Sequence, residues 1–158
     1  MNAEVEIYAG EATDDPVVAD HFGKMWRDSS VPGSALVDDW FERTMAFITA
    51  ARASGTFLSY LARCDGEIAG SLAAQQFAGL YPDVLRHEYR RYAYVWGVFV
   101  CPVDRRKGIA SALMRRSLED MKGLGYSRVL LHASEMGNPV YKALGFDATN
   151  ELKLDLVA

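Results

Sequence analysis

The sequence has few of the features that mark secreted, membrane-spanning or metal-binding proteins. Its 158 residues include two cysteines, Cys64 and Cys101, whose spacing fits neither a disulfide framework nor a set of metal ligands. The longest apolar run, residues 92–103, is shorter than the ~20 residues of a transmembrane helix. The first ten residues contain two glutamates and no basic residue, unlike a secretory signal peptide. We therefore expect a cytoplasmic protein with reduced thiols and no metal site.

The chain also lacks a strong net charge of either sign. Its formal net charge of −4 argues against nucleic acid as the main partner and is compatible with a small cationic substrate. The sequence has no internal repeat and no low-complexity stretch, and half of its residues are apolar, as in globular proteins. Residues 1–158 are accordingly predicted to form a single domain, with no membrane partner.

Hydrophobic periodicity predicts an α/β protein with the element order βααβββαβαβ. Strands are predicted at residues 4–10, on both sides of Asp65-Gly66, and at 92–100, 127–133 and 151–157. Helices are predicted to begin at Asp15-Pro16, at Ser34, at Gly108 and at Asn138. The strand–turn–helix–strand unit over residues 92–132 predicts a parallel pair, whereas the Asp65-Gly66 hairpin is antiparallel. The sheet should therefore be mixed, and the alternating segment 151–157 should close it.

A basic turn stands out in this acidic chain. Residues 104–116, "DRRKGIASALMRR", lead from the predicted strand 92–100 into the next helix. The first N–H groups of a helix are unpaired and carry partial positive charge, and a glycine lets a ligand approach the backbone. Arg105, Arg106 and Lys107 add full charges, so the turn is typical of a site for a phosphorylated ligand. It matches neither the Walker A nor the Rossmann pattern, and a solvated basic helix start is the alternative.

The same turn resembles a known family. Residues 105–110, "RRKGIA", match the pattern [Q/R]-x-x-G-x-[G/A] of the GNAT superfamily of acyl-CoA N-acyltransferases, and "YKALGF" at 141–146 is similar to the closing motif of that family. The likeness extends over residues 92–147. It implies a mixed sheet with a central pair of parallel strands splayed apart, helices on both faces, and acetyl-CoA in the gap. Arg106 stands where the family often has glycine, and Ala110 ends the pattern in place of glycine.

The resemblance also implies which residues hold the cofactor. The backbone of Phe99 and Val100 would pair with the pantetheine arm, and the N–H groups of residues 106–111 would surround the pyrophosphate. Ser134 stands at a strand end where the family often has an asparagine that holds the cofactor. The implied cofactor-binding residues are Phe99, Val100, Arg105, Arg106, Lys107, Gly108, Ile109, Ala110, Ser111 and Ser134.

Acyl transfer from a thioester to an amine sets three chemical demands. The amine must lose a proton, the carbonyl oxygen must be stabilised as it gains negative charge, and the departing thiolate should receive a proton. In the family the amine attacks directly, without a covalent intermediate. The Val100 N–H is our candidate for the carbonyl oxygen. Tyr141 lies where the family has its general acid relative to Gly145-Phe146, and packing onto the sheet is its alternative role.

The general base and the acceptor site are less well marked. Strand 92–100 has no glutamate, which is where the family often carries the base. The candidates for the base are Asp28, His87, Glu88, His132 and Glu135, each of which has a surface or structural role as its alternative. At the end of an apolar strand, His132 is typical of a hydrogen-bonded core histidine. Segments 25–34 and 80–92 are candidates for the walls of the acceptor pocket, and the residues expected to contact the amine are Trp26, Asp28, Glu88 and Tyr89. The alternative is that both segments are polar connections without a binding role.

The sequence as a whole predicts an N-acetyltransferase that moves an acetyl group from acetyl-CoA to a primary amine of a small molecule or peptide. Two other hypotheses remain open. The first is a catalytically silent acyl-CoA-binding sensor or interaction module of the same fold. The second is a phosphate-binding domain unrelated to CoA. Members of the family are often dimers, so a homodimer is also an open expectation.

Overall fold

Strands and helices occur in nearly the order that the sequence predicts. The structure is a computed structural model that describes residues 4–77 and 79–157. The strands are β1 (Val5–Ala9), β2 (Phe57–Cys64), β3 (Glu67–Gln76), β4 (Tyr92–Val100) and β5 (Arg128–Leu131). The helices are α1 (Asp15–Arg27), α2 (Trp40–Ala53), α3 (Ile109–Gly123) and α4 (Asn138–Ala143). Short 3₁₀ turns precede α1, α2 and α3 at Ala12–Asp14, Gly33–Ala35 and Pro102–Asp104.

The sheet is mixed, as predicted. Within the described residues its strands lie in the order β1-β2-β3-β4-β5, and every neighbouring pair is antiparallel except β4 and β5, which are parallel. The β2–β3 hairpin turns at Asp65 and Gly66, both of which have positive φ. The parallel pair is joined by α3, which confirms the predicted crossover.

Helices cover both faces of the sheet. On one face α3 packs against a core that includes Leu72, Val95, Leu113 and Met114. On the other face α1 and α2 cover a second core with Val18, Ile48 and Leu61 at its centre, among others. None of the helices among the described residues combines the length and the apolar character needed to cross a bilayer.

A bulge in β4 lies at the point where the pairing of β4 with β5 ends. In the β3–β4 register Ala73 faces Gly97 and Ala74 faces Val95, so Trp96 is an extra residue in β4. The pairing of β4 with β5 ends at the same place, at Val95 opposite Leu131. A bulge bends its strand and increases the local twist. Because β5 ends at Leu131, β4 runs on beyond Val95 without a partner on that side. The space between this part of β4 and the chain that follows β5 is called the gap here.

Two predicted elements differ from the structure. The second helix begins at Trp40 and not near Ser34, because Leu36 is extended and ends the preceding 3₁₀ turn. Gly33 and Val37 are poor helix formers, whereas the sequence from Trp40 is rich in residues that favour a helix. The prediction of a strand over residues 151–157 is wrong for this structure, in which the segment has no regular secondary structure. Alternating polarity favours a strand but forms one only where another strand provides the hydrogen bonds.

Candidate active site

The gap between β4 and β5 exposes backbone groups of β4. The Cys101 N–H donates to the Ala69 carbonyl of β3, at 2.8 Å. Since successive peptide groups of a strand point to opposite sides, Val98 and Val100 turn their backbone groups toward the gap. Phe99 lies opposite Ser71 and turns its backbone N–H and C=O groups toward β3. The predicted role for the Phe99 backbone therefore conflicts with this geometry, in which the backbone of Val98 faces the gap beside that of Val100.

The basic turn adopts a tight conformation at the mouth of the gap. Arg106 has φ +63° and Gly108, the residue before α3, has φ +77°, both in the left-handed region. Among the described residues, no side chain caps the start of α3. The Ala112 N–H donates to the Gly108 carbonyl, so the N–H groups that precede Ala112 lie outside the helical ladder. A Cβ on Gly108 would meet nothing within 4 Å, so this backbone is open to a ligand.

The basic side chains of the turn are not equivalent. Arg105 donates to the Val100 carbonyl at 3.0 Å and to the Asp28 carboxylate at 2.7 Å. Lys107 pairs with Asp104 at 2.8 Å. Arg106 is exposed and forms no ion pair within the described part of the chain. The Val100 carbonyl is thus occupied, while Arg106 is the full charge most available to an anion.

Removing the Arg106 charge should weaken cofactor binding modestly and in a salt-dependent way. We expect Arg106→Ala to raise the Kd for acetyl-CoA roughly 3- to 10-fold at low ionic strength, the scale of one exposed ionic contact. The loss should shrink as salt rises, because exposed charges are screened. Isothermal titration at several salt concentrations measures this. Arg115→Ala, which removes an exposed charge from the body of α3, is the control and should leave the Kd unchanged.

Tyr141 lies on α4 against the core that also holds Val98, Val100 and Leu131. Its ring contacts Phe146, with the centroids 5.9 Å apart. Burial raises the pKa of its phenol above the ordinary value of 10.0. Gly137 allows this packing, because a Cβ there would lie 2.9 Å from the Tyr141 ring. Tyr141 therefore stays protonated at neutral pH and packs on the same core as Val98 and Val100.

Ser134 has a local partner. Its hydroxyl accepts a hydrogen bond from the Gly137 N–H at 3.1 Å, and its carbonyl accepts one from the Asn138 N–H. The side chain thus stabilises the turn that leads into α4, although it remains exposed. Ile109, another predicted cofactor residue, is buried in the core, which leaves its backbone as the part that can face a ligand.

His132 follows β5 directly at the gap and is held by two partners. Its Nδ1 is hydrogen-bonded to the Tyr94 hydroxyl, and its Nε2 lies 3.2 Å from Glu151 Oε1. The side chain is exposed, so the expectation of a core histidine is wrong, although the expected hydrogen bonds are present. The reason is that β5 ends at Leu131, beyond which the chain leaves the sheet. Burial, followed by the charge of Glu151, raises the pKa of Tyr94.

The other predicted residues fall into two groups. Trp26 and Asp28 lie together at the end of α1, where the Asp28–Arg105 ion pair ties them to the basic turn. His87, Glu88 and Tyr89 lie exposed on the connection between β3 and β4, and Glu135 is exposed between β5 and α4. The structure therefore ties Trp26 and Asp28 to the basic turn through α1 and leaves the second group exposed to solvent.

A buried histidine beneath the gap was not predicted. His21 of α1 is 5% exposed, hydrogen-bonds Ser71 Oγ through Nδ1 at 2.8 Å, and contacts the Phe99 ring. Burial lowers its pKa from 6.5 to about 4, with Lys24 acting in the same direction and Asp20 opposing it. In the sequence His21 lies in the helix predicted to begin at Asp15-Pro16, next to the apolar Phe22, which was the one available signal.

The neutral state of His21 makes stability depend on pH. Between its folded pKa of about 4 and its unfolded value near 6.5, the unfolded chain binds a proton that the folded chain does not. The contribution of neutral His21 to the free energy of unfolding is therefore complete above pH ~6.5 and is lost as the pH falls toward 4. It amounts to about 3 kcal/mol in total. Urea unfolding at pH 7 and pH 4 should show a smaller pH dependence for His21→Gln than for wild type. His87→Gln, at an exposed site, should behave as wild type.

The comparisons with known proteins agree with this geometry. The model of the acetyltransferase (GNAT) family matches residues 20–146. A protein from Clostridium acetobutylicum described as a predicted acetyltransferase, solved with acetyl-CoA, is similar in structure, with a TM-score of 0.81, 21% identity and 97% of each chain covered. A GCN5-related N-acetyltransferase from Ralstonia eutropha has a TM-score of 0.82 and 21% identity, over 97% of this chain and 99% of the other.

A glucosamine-6-phosphate N-acetyltransferase from Arabidopsis thaliana is also similar, with a TM-score of 0.65 and 15% identity, over 98% of this chain and 99% of the other. No curated protein matches the sequence. At these identities the solved structures show the fold, and the family model, which spans most of the chain, shows the family. The chain belongs to the acetyltransferase (GNAT) family and is an acyl-CoA-dependent acetyltransferase whose co-substrate is acetyl-CoA.

Proposed function

We propose that residues 1–158 form a single N-acetyltransferase domain that moves the acetyl group of acetyl-CoA to a primary amine of a small molecule by direct attack. The observation that carries this proposal is the gap that opens between β4 and β5 after Val95 and Leu131, next to the uncapped start of α3. An extended ligand arm can pair with the exposed backbone of β4 as a strand would, and a phosphate can bind at the start of α3. The two together match an acyl-CoA.

The backbone supplies most of the cofactor contacts in this proposal. The N–H groups of residues 106–111 bind the pyrophosphate, while Val98 and Val100 pair with the pantetheine arm. The Val100 N–H then donates to the thioester oxygen as negative charge develops on it. Donors that are fixed before the reaction stabilise such charge without any reorganisation cost. Support comes from the Arg105 side chain, which occupies the Val100 carbonyl and so holds this peptide in place.

Two side chains act as the general acid and the general base. Tyr141 donates its phenolic proton to the departing thiolate, and its raised pKa keeps that proton in place at neutral pH. His132 takes the proton of the amine at Nδ1 through the Tyr94 hydroxyl, which passes its own proton to Nδ1 as it accepts that of the amine, while Glu151 holds the ring at Nε2. Asp28 is a weaker candidate for the base, since its carboxylate is engaged by Arg105. Tyr94 contacts the same histidine and positions it.

The role of His132 can be tested by a conservative substitution. We expect His132→Gln to lower kcat roughly 10²-fold, the usual scale for a positioned base, with little change in the Kd for acetyl-CoA. Glu151→Gln should cost less, because Glu151 acts through the histidine. Steady-state kinetics across pH, with cofactor affinity measured separately, give both values. His87→Gln is the matched control, and an equal loss of kcat in that variant would contradict the assignment.

The acceptor site is proposed to lie where α1 meets the gap. Trp26 is partly exposed there, packs against Phe22 and is adjacent to Asp28. An indole face and a carboxylate suit a protonated amine. Glu88 and Tyr89 remain candidates, since the connection that carries them precedes β4. The similar structure named for glucosamine 6-phosphate supports a small amine as the acceptor class.

The experiment that tests the proposed function is a turnover screen. Acetyl-CoA is incubated with the protein and a panel of primary amines, and free thiol is measured; each amine is matched by its N-acetylated form as a control. The panel covers amino sugars, aminoglycosides, polyamines, amino acids and peptides with a free N-terminus. Turnover with at least one free amine is expected. Thermal stabilisation by acetyl-CoA without turnover by any amine would favour the silent binding module.

A further inference from the structure

Two arginine side chains lie against aromatic rings at the end of the sheet where β4 and β5 begin. The Cζ of Arg90 is 5.7 Å from the ring centre of Phe77, 4.1 Å from that of Tyr81 and 5.3 Å from that of Tyr92. The Cζ of Arg128 is 4.9 Å from the same Tyr92 ring centre. Neither arginine forms an ion pair with a carboxylate of the described residues. Two positive charges without an acidic partner in this part of the chain therefore share one tyrosine ring.

This stacking leaves the donors of each guanidinium available to a ligand. A guanidinium contacts a ring through its flat face, whereas its N–H donors lie in its plane. The three rings also hold the Arg90 group in position before a ligand arrives, which reduces the entropy lost on binding. Planar donors of this kind match the oxygens of a carboxylate or a phosphate. The two arginines therefore have the chemistry of a binding site for an anionic group.

The two arginines lie on the same face of the sheet as the groups proposed to deprotonate the amine. Tyr92 and Tyr94 are two positions apart on β4, so their side chains share a face and are about 7 Å apart along the strand. Tyr94 contacts His132, which follows Arg128 by four residues and is therefore about 13 Å from it along β5. The helices α1 and α2 contact this face further along β4, at Trp96. One extended molecule can therefore reach both the arginines and the proposed base.

We propose that Arg90 and Arg128 bind an anionic group of the acceptor, so that the substrate is a primary amine with a carboxylate or phosphate roughly 7–13 Å from its nitrogen. This inference rests on the proposed function, because it places the reacting amine at Tyr94 and His132. It extends the acceptor site from the gap toward the connection between β3 and β4. The bound acid end fixes the orientation of the acceptor, so that its amine meets the thioester carbon. The two arginines therefore select the acceptor and take no part in the proton transfers.

Amines of similar length with different far ends test this selection. The values of kcat/KM at saturating acetyl-CoA are compared for 8-aminooctanoate, 6-aminohexyl phosphate, octylamine and 1,8-diaminooctane. We expect at least one of the two acids to exceed octylamine by roughly 10-fold, the scale of one hydrogen bond to a charged group. The diamine should fall below octylamine, because its far end is repelled. The ratio between the two acids identifies the preferred anionic group. Values for both acids that do not exceed that of octylamine would overturn the proposal and leave the arginines with a stacking role.

Substitutions assign the selection to the two arginines. Arg128→Glu should abolish the preference for the acids, and Arg90→Gln should reduce it several-fold. Arg91→Gln is the matched control, because Arg91 also stacks on a tyrosine but does so at Tyr126, which packs on the core beneath α3. That variant should keep the wild-type preference. A wild-type preference in both Arg128→Glu and Arg90→Gln would overturn the proposal. Calorimetry with acetyl-CoA confirms that each variant is folded.

Binding of a reaction product separates this proposal from the proposed function. N-acetyl-8-aminooctanoate keeps the acid end but has no amine to react, and its Kd for the CoA-bound protein is measured by calorimetry. The wild type should bind it roughly 10-fold more tightly than Arg128→Glu does. This difference in a protein that acetylates no amine would support the anion site and contradict the transferase function. Turnover of amines with no preference for the acids, together with equal Kd values, would overturn the anion site and leave the transferase function in place.

Discussion

Gly108→Val is expected to weaken acetyl-CoA binding by roughly 10²-fold or more, which corresponds to about 3 kcal/mol. Two physical causes combine. The Gly108 backbone faces open space at the start of α3, so a branched side chain would occupy the volume through which the pyrophosphate passes. It would also disfavour the φ of +77° that turns the N–H groups toward the ligand. Isothermal titration calorimetry measures the change in Kd.

A second glycine separates these effects from a loss of fold. Gly55, between α2 and β2, has φ +69°, and a Cβ added there would likewise meet nothing within 4 Å. Gly55→Val should therefore carry a similar backbone cost of about 1–2 kcal/mol in the free energy of unfolding. It should leave the Kd for acetyl-CoA as it is in the wild type. Equal affinities in the two variants would show that the basic turn does not bind the cofactor.

Tyr141→Phe should lower kcat by about 10²-fold while preserving the fold and the affinity for acetyl-CoA. A positioned acid contributes 10²- to 10⁴-fold, and the lower end is expected because a thiolate can leave without a proton. Burial raises the pKa of Tyr141, so the acid is protonated at neutral pH and its loss should begin only above pH ~10. The measurement is kcat as a function of pH for both proteins.

The control for Tyr141 is another tyrosine of the same core. Tyr126 packs against the same cluster as Tyr141 but stacks with Arg91 near the far end of α3. Tyr126→Phe removes a hydroxyl of the same kind without touching the gap, so kcat should be unchanged. A Tyr141→Phe variant with wild-type kcat would leave Tyr141 with a packing role alone.

Local sequence signals predicted those parts of the fold that depend on few residues. The Asp65-Gly66 turn and the start of α3 are set by the backbone preferences of two or three positions, and both are confirmed. The Trp96 bulge could not be read in this way, because it depends on how β4 meets β3 and not on β4 itself. For that reason Phe99 was predicted where the gap exposes the backbone of Val98.

The chemistry of single side chains was predictable only where their partners are near in the sequence. Arg105 was expected to face a phosphate, yet Asp28, far along the chain, engages its guanidinium. His132 was expected in the core, and its partners Tyr94 and Glu151 come from β4 and from the segment 151–157. The segment 151–157 shows the same limit, since its alternating pattern forms a strand only where another strand edge pairs with it.

A crystal structure of the protein with acetyl-CoA would show directly whether the gap and the basic turn hold the cofactor. We expect pyrophosphate oxygens within ~2.7–3.2 Å of N–H groups of residues 106–111. We also expect the pantetheine arm beside Val98 and Val100, and the sulfur within reach of the Tyr141 hydroxyl. Acetyl-CoA bound away from the gap and the basic turn would contradict the proposed site.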